Sequence, residues 1–295
     1  MAEKQKKMIG HGDIPSFLGR KIQREKILPT VLILLVMLLF LIPIFIAVLT
    51  AFKTKLEIAE SVLAFPKALR FDNFVEGLKK SNMFVSLKNS CIITFPSVAL
   101  IVICSSMSGY SIARFGPKHK PIKMMDTVYL ASMMIPFQIL MIPIYKMCKN
   151  LHLLNNQLSV ILILTGISIA YASFLYVGFV KSIPQEIEEA ALIDGCGPFR
   201  AFWSIVFPLL KPITATVASL HVMWLWNDFN VSLVLLSKEA VRPFTVKQYY
   251  FFAEHASDYG PAFAASIVGM IPVIIVFLLL QKYIVRGISA GAVKS

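Results

Sequence analysis

The sequence predicts an all-α, polytopic membrane protein with six transmembrane helices. Hydrophobic residues make up 57% of the 295 residues and charged residues 15%, whereas soluble domains carry about 25% charged residues. The mean hydropathy is +0.73, and six apolar windows each come close to the roughly 20 residues that a spanning helix needs. The apolar runs are continuous and lack a period of two, which argues against a β-barrel.

The six apolar windows account for most of the chain. They cover residues 28–52, 89–114, 127–147, 158–180, 213–236 and 261–281. The first is interpreted as a retained span, because its apolar run is too long for a secretory signal and no small-residue cleavage site follows it. These helices and their connections leave no room for an ATPase or enzyme domain, so we predict no enzymatic activity for this chain.

The predicted organisation follows from these windows. An N-terminal segment (1–27) precedes a first span with its outer loop (28–88), and a core holds the five further spans (89–283). A short tail (284–295) ends the sequence. The core also contains a polar, glycine-broken stretch, residues 182–212, which we call the elbow.

The placement of positive charge predicts the orientation in the membrane. The net charge is +13, and lysines and arginines are frequent before the first span, after the second and after the last. Six spans put these three regions on the same side as the elbow, and positively charged loops favour the cytoplasm. We therefore expect both termini and the elbow to be cytoplasmic in a multi-pass cell-membrane protein. The charge is dispersed, so we expect no nucleic-acid partner.

The first half of the elbow predicts a short helix. Ser182 and Gln185 have the spacing of a capping box, which indicates a helix start. Gly195 and Gly197 are expected to interrupt the helix after about two turns. One face of this helix combines mostly small side chains, contributed by Ile187, Ala190, Ala191 and Asp194.

The second half of the elbow predicts another helix, because Pro198 suits a first helical turn. Its apolar stripe is formed by Phe199, Phe202, Trp203 and Val206. Two helices joined by a tight turn, with an aromatic anchor, favour docking into a groove of a partner protein. The alternative is an amphipathic connector on the lipid surface, although an acidic first helix suits an anionic membrane poorly.

The elbow resembles the EAA loop of permeases in ATP-binding-cassette (ABC) importers. The residues that match the family pattern are Glu189, Ala190, Ala191, Asp194, Gly195, Ile205 and Pro208. Cys196 and Phe207 depart from that pattern by small or apolar replacements. Further segments, among them YSIARF at 110–115 and the tail sequence AGAVK at 290–294, resemble carbohydrate permeases of the maltose-transporter type.

This resemblance implies a fold, a function and partners. The fold would be that of a type I ABC importer permease, and the function would be translocation of a sugar, such as an oligosaccharide, by alternating access. The implied partners are a second homologous permease, two cytoplasmic ATP-binding subunits, an extracellular solute-binding protein and membrane lipid. The residues implied to couple to the ATPase are Glu189, Ala190, Ala191, Asp194, Gly195, Phe199, Phe202, Ile205 and Pro208.

A polar cluster in the fifth window is a candidate substrate pathway. Asp228 lies there beside Trp224, Trp226 and Asn227. An acid in the middle of a span costs about 2.5–3.5 kcal/mol on insertion scales, so it is expected to face protein or a water-filled cavity. An acid, an amide and indole rings suit a hydroxyl-rich ligand. The alternative is a structural polar cluster or an aromatic belt at the interface.

The loop 237–260 is predicted to be extracellular and contains adjacent aromatic residues. By resemblance, Tyr249 and Tyr250 contact the substrate-binding protein. The alternative is an aromatic belt that dips into the lipid headgroups.

Several sequence motifs are absent, and these absences limit the possible functions. The sequence contains no P-loop, no HExxH and no paired-cysteine zinc pattern, so ATP hydrolysis would belong to separate subunits. The four cysteines are scattered, and we expect neither a metal nor a cofactor. The other classes are an ion-coupled secondary transporter, an ABC importer subunit for a non-sugar solute, and a membrane scaffold. A secondary transporter would need several buried ionisable residues, and only Asp228 is so placed.

Overall fold

The computed structural model describes residues 27–254 and 258–292, and every regular element within them is helical. In order, the helices are α1 (Ile27–Ala51), α2 (Lys55–Glu60), α3 (Asp72–Lys80), α4 (Met83–Phe115), α5 (Lys120–Ser132), α6 (Phe137–Asn150), α7 (Gln157–Val180), α8 (Glu186–Ile193), α9 (Pro198–Ala201), a π-helix (Phe202–Val206), α10 (Phe207–Leu209), α11 (Lys211–Trp226), α12 (Asn230–Leu235), a 3₁₀-helix (Glu239–Val241), α13 (Phe244–Glu254) and α14 (Tyr259–Ala292).

The described residues form two compact units, one that ends at Ile46 and one that begins at Ala47. Most of the predicted N-terminal segment and the last three residues of the predicted tail lie outside the described residues. The boundaries predicted for the segments therefore stay predictions.

Four of the described helices are long and apolar enough to cross a membrane: α1, α4, α7 and the first 21 residues of α14. Two bent pairs, α5 with α6 and the 198–209 stretch with α11, raise the number to six if each pair counts as one span. The predicted third span at 127–147 is sharply bent, because α5 and α6 meet at 106°. Pro136 lies directly before α6 in an extended conformation. A proline lacks the N–H that a continuous helix needs, and it disfavours the helical conformation of the residue before it.

The fifth predicted span also has different bounds. The window covered 213–236, but α11 begins at Lys211 and ends at Trp226, and a non-helical break precedes α12. The apolar residues on both sides of this break share one hydropathy window, so composition alone does not reveal the interruption. The break places Asn227 and Asp228 at the end of a helix and not in the middle of a span.

The core of the second unit is built on α4 packed along α7. Their contact is close because Gly109 lies opposite Tyr176, where an added Cβ atom would come within 2.6 Å of the Tyr176 Cβ. Ser105 and Ser173 are fully buried in the same region. Small residues allow the backbones of membrane helices to approach, and α4 and α7 consequently pack closely. Helix α11 packs against both α4 and α14.

Candidate functional site

The elbow has the predicted form of two short helices joined by a glycine turn. Gly195 has a φ of +80°, a conformation that glycine adopts without steric cost. The Cys196 N–H donates to the Ala191 carbonyl at 2.9 Å, and the Gly195 N–H donates to the Leu192 carbonyl at 3.1 Å. These two bonds form a Schellman motif, which ends α8 and sets the direction in which the chain leaves it.

The predicted capping box at the start of α8 is wrong. Helix α8 begins after Gln185, whose side chain makes no capping hydrogen bond. The Ser182 hydroxyl instead donates to the Phe179 carbonyl in the last turn of α7, at 2.6 Å. Ser182 therefore belongs to the end of the preceding span, because its hydroxyl has a carbonyl acceptor three residues back. Glutamates at positions 186, 188 and 189 still occupy the first turn of α8, where the helix dipole favours acids.

The small-residue face predicted for α8 is divided between two sides. Ala191 is buried, while Ala190 and Ile187 are exposed. The other buried residue of α8 is Glu188, which the sequence did not single out. Glu189 and Asp194, both matched to the family pattern, are exposed.

Glu188 connects the elbow to α4 through a buried ion pair. Its Oε1 accepts from the Arg114 Nε at 2.8 Å and lies 2.7 Å from the Arg114 Nη2. Its Oε2 accepts from the Tyr110 hydroxyl at 2.8 Å. The Arg114 Nη2 also donates to the Ile183 carbonyl at 2.8 Å, just before α8. The side chains of Arg114 and Glu188 are only 8% and 11% exposed, so both charges are removed from water and hydrogen-bonded.

The second arm of the elbow contacts the same turn of α4. The Phe202 ring lies 5.1 Å from the Tyr110 ring, centroid to centroid, and Phe202 is buried. Trp203 is half-buried and packs against Phe202 at 5.1 Å and Phe207 at 4.9 Å. This arm passes through the π-helix Phe202–Val206, an irregularity that often occurs at functional sites. Tyr110 is thus contacted by both arms of the elbow.

The other residues implied for ATPase coupling lie on the outside of the second arm. Phe199 is 68% exposed, although the sequence placed it on one stripe with the buried Phe202. Ile205 is half-buried and Pro208 is exposed. Ile193, at the end of α8, is 85% exposed. Exposed apolar side chains on both sides of the glycine turn form a surface suited to a partner protein.

A groove of about 270 Å³ separates the elbow from the end of α4. Its lining combines apolar and charged side chains, and the contributing residues include Phe115, Lys118, Gln185, Glu189, Leu192 and Pro198. The described residues contain no group of three histidine, cysteine, aspartate or glutamate side chains that could hold a metal ion. The elbow is thus connected to α4 through buried contacts and carries an exposed surface of mixed apolar and charged side chains.

The four residues predicted for the substrate pathway occupy different environments. Trp226 is buried, whereas Trp224 is 51% exposed and its ring lies 5.2 Å from that of Tyr171. Asn227 is exposed and donates to the Met223 carbonyl at 2.8 Å. The fourth residue, Asp228, caps α12. Its carboxylate accepts from the Ser232 N–H at 3.0 Å and the Ser232 hydroxyl at 2.7 Å, which satisfies donors at the start of that helix.

The capping contacts of Asp228 lead to a prediction. Replacement of Asp228 by alanine removes the acceptor for the free N–H groups of α12 and is expected to destabilise the protein by about 1 kcal/mol. Asp228→Asn keeps one acceptor oxygen and is expected to lose less. Thermal unfolding of the purified protein in detergent measures both effects. A role in substrate passage stays a prediction, and it would be supported if Asp228→Asn abolished uptake at unchanged stability.

Tyr249 and Tyr250 lie on α13, at the opposite end of α4 from the elbow. Tyr249 is half exposed, and its ring lies 5.2 Å from that of Phe229. The Arg242 guanidinium carbon lies 3.8 Å from the centre of the Tyr250 ring, a cation–π contact.

Polar contacts connect the region around these tyrosines. The buried Lys247 ammonium pairs with Glu239 and lowers the pKa of the Glu239 carboxyl. The side chain of Asn89, near the start of α4, donates to the carbonyls of residues 240 and 242 at 2.9 and 3.0 Å, which ties this region to the bundle.

The sequence did not identify Arg114, Tyr110 and Glu188 as a connected group. Tyr110 and Arg114 are four residues apart and therefore lie on one face of a helix, which was the available signal. Glu188 directly precedes the matched residue Glu189 but lies outside the family pattern. Its partners are 74 and 78 residues away in the chain, so spacing could not pair them.

Comparison with known proteins identifies the family. Residues 101–290, more than half of the chain, match the family described as binding-protein-dependent transport system inner membrane component. The probable starch degradation products transport system permease protein AmyC of Thermoanaerobacterium thermosulfurigenes is 37% identical over 275 residues, or 93% of this chain and 99% of that protein. The melibiose/raffinose/stachyose import permease protein MelC of Bacillus subtilis is 37% identical over 86% of this chain and 91% of its own.

A solved structure shares the fold. It is a chain of a bacterial ABC transporter involved in the import of the acidic polysaccharide alginate. The TM-score is 0.76 at 23% sequence identity, and the match covers 88% of this chain and 98% of that one. By sequence, the chain belongs to the family of inner-membrane components of binding-protein-dependent transport systems.

Proposed function

We propose that this chain is the permease subunit of an ATP-driven importer and carries a sugar across the cell membrane. Support comes from the relatives, whose names specify starch degradation products and melibiose, raffinose and stachyose. A further relative, the multiple sugar-binding transport system permease protein MsmG of Streptococcus mutans, is 38% identical over 87% of this chain. The substrate class common to these names is a sugar, and within this class we propose an oligosaccharide.

The proposed arrangement has six spans with both termini and the elbow in the cytoplasm. The six spans are α1, α4, the α5–α6 pair, α7, α11 and α14, and the elbow's second arm leads into α11 through a bend of 75°. The even number of spans and the excess of lysine and arginine on the elbow side support this orientation. The loop that carries α13 is then extracellular.

The proposed complex contains a second related permease, two cytoplasmic ATP-binding subunits and a solute-binding protein. The chain itself does not hydrolyse ATP in this scheme, and each elbow docks into a groove of an ATP-binding subunit. The observation that carries this assignment is the exposure of Ile193 and Phe199 on the two sides of the Gly195 turn. Apolar side chains exposed to the cytoplasm are costly unless a partner covers them.

The proposed sugar pathway runs past Trp224. Its half-exposed ring next to Tyr171 provides a flat aromatic surface that can cover the C–H face of a sugar. Trp226, Asn227 and Asp228 are proposed to maintain the helix break that presents this ring. Trp224→Ala is expected to slow uptake, while Trp224→Phe is expected to keep most of the wild-type uptake rate. Uptake at the wild-type rate by both variants would remove Trp224 from the pathway.

The proposed function is tested by uptake of radiolabelled raffinose and maltotriose into cells that carry the whole transport system. Uptake is expected to require the ATP-binding subunit and to continue when an uncoupler removes the ion gradient. An ion-coupled secondary transporter would show the opposite pattern. ATP-dependent uptake of a non-sugar solute, with neither sugar transported, would retain the importer but reject the substrate class.

The proposed docking site of the solute-binding protein gives a further prediction. Replacement of Tyr249 by alanine removes a half-exposed aromatic side chain and is expected to reduce the stimulation of ATP hydrolysis by the binding protein at least threefold. The matched control is Tyr259→Ala, because Tyr259 is exposed to a similar extent at the start of α14. Tyr250→Ala, which also breaks the contact with Arg242, is expected to act in the same direction. If the binding protein stimulates ATP hydrolysis fully in both Tyr249→Ala and Tyr250→Ala, the result would favour the interpretation of these residues as a lipid-interface belt.

A further inference from the structure

The buried pair of Arg114 and Glu188 joins two parts of the molecule that would otherwise contact each other through apolar surfaces. Arg114 lies in the last turn of α4, and Glu188 lies in α8 of the elbow. Arg114 donates to Glu188 and to the Ile183 carbonyl, so one guanidinium holds both α8 and the chain that leads into it. Tyr110 donates to the second carboxylate oxygen of Glu188 and packs on Phe202 of the other arm.

The hydrogen bonds of Arg114 fix the orientation of the elbow relative to α4. An apolar contact can slide with little loss of burial, whereas a planar guanidinium that donates to the Glu188 carboxylate and the Ile183 carbonyl permits only one arrangement. A buried ion pair is weak evidence for stability, because apolar residues of similar volume often stabilise a protein as well or better. The pair at the elbow is therefore better explained by the position it enforces than by the stability it adds.

We propose that Arg114, with Tyr110, is a positioning residue that makes the elbow and α4 move as one rigid body. This inference rests on the proposed function, because it concerns how movement of the docked elbow reaches the membrane helices. Movement passes from α8 to the end of α4 through the ion pair. It then passes from α4 to α7 through the tight contact of Gly109 with Tyr176. In this scheme α4 and α7 are driven directly, and the other helices follow them.

The test compares the ion pair with an apolar pair of similar size. The variant Arg114→Met with Glu188→Leu is placed in the complete transporter, reconstituted in proteoliposomes with its ATP-binding subunits, partner permease and binding protein. ATP hydrolysis is expected to stay within about twofold of the wild type, while sugar transported per ATP falls at least tenfold. A structural role alone would not lower that ratio in an assembled complex. The matched control is Glu186→Leu, which removes an exposed acid two residues earlier on α8. This variant is expected to keep the wild-type ratio of sugar transported per ATP.

A conservative variant provides a further comparison. Arg114→Lys keeps the positive charge but lacks the planar guanidinium, and it is expected to recover part of the sugar transported per ATP that the apolar double variant loses. A wild-type ratio in the apolar double variant would overturn the proposal. Because the unmodified complex is measured alongside, absence of ATP-driven uptake in that complex would instead reject the proposed function.

A second measurement applies even if the apolar variant does not assemble. Spin labels at Lys118 and Glu186, both exposed, report the distance between the end of α4 and the start of α8. They are introduced after replacement of the four native cysteines. In the wild-type complex the distance distribution is expected to be the same without nucleotide and with trapped ATP. A shift of the mean distance between these two states would show that the elbow moves relative to α4 and would overturn the proposal.

Discussion

Replacement of Gly195 by arginine is expected to abolish ATP-driven sugar uptake while the protein remains in the membrane. Gly195 has a φ of +80°, which costs an L-residue about 1–2 kcal/mol, and its N–H belongs to the Schellman motif that ends α8. The surroundings are open, so the arginine side chain would project into the docking surface. A charge in that position is expected to weaken docking further. Uptake in proteoliposomes and binding of the ATP-binding subunit measure the two effects.

Gly197 provides the matched control. It has a φ of −63° and open surroundings, so Gly197→Ala introduces no backbone strain and no clash. This variant is expected to keep uptake within about twofold of the wild type. Gly195→Ala adds backbone strain without charge and is expected to be intermediate. Wild-type uptake in Gly195→Arg would contradict the assignment of the elbow as the coupling element.

Replacement of Phe199 by alanine is expected to lower the affinity for the ATP-binding subunit by about tenfold to a hundredfold. The side chain is 68% exposed in the isolated chain, and burial of a phenylalanine in a partner's groove contributes about 1.5–3 kcal/mol. Aromatic side chains at the centre of an interface often carry most of its binding energy. Co-purification at graded detergent and salt concentrations, or titration with labelled ATP-binding subunit, gives the change in affinity.

The control for Phe199 is an aromatic residue of similar exposure in another place. Phe174, in the second half of α7, is 49% exposed, and Phe174→Ala makes the same chemical change outside the elbow. Its affinity for the ATP-binding subunit is expected to be unchanged. Equal losses in the two variants would point to general destabilisation, and no loss in Phe199→Ala would place the docking surface elsewhere.

The family, the helical class and the glycine turn of the elbow were predicted correctly from the sequence. The helical class follows from long apolar runs, which in a membrane leave only helices to satisfy the backbone. The turn follows from Gly195, because a residue free of steric restriction after a short amphipathic stretch is a local signal. The confirmed family follows from residues 101–290, which contain the whole elbow.

The sequence did not predict how sharply the third window bends or where α8 begins. The two halves of that window meet at 106°, and hydropathy averages over the residues before Pro136. Ser182 had a valid capping pattern, but its hydroxyl found a carbonyl of α7 instead. In both cases two local interpretations were chemically possible, and packing selected one.

The sequence by itself determined where this chain is apolar, where the elbow turns and which family the chain belongs to, because each depends on residues that are neighbours in the chain. Only the tertiary structure decided which charges are partnered. Glu188 meets Arg114 across 74 residues, and Asp228 accepts hydrogen bonds from Ser232 of α12 although composition placed it in a span. Burial of a charge requires a partner, but the identity of that partner depends on how α4 approaches the elbow, which no local pattern contains.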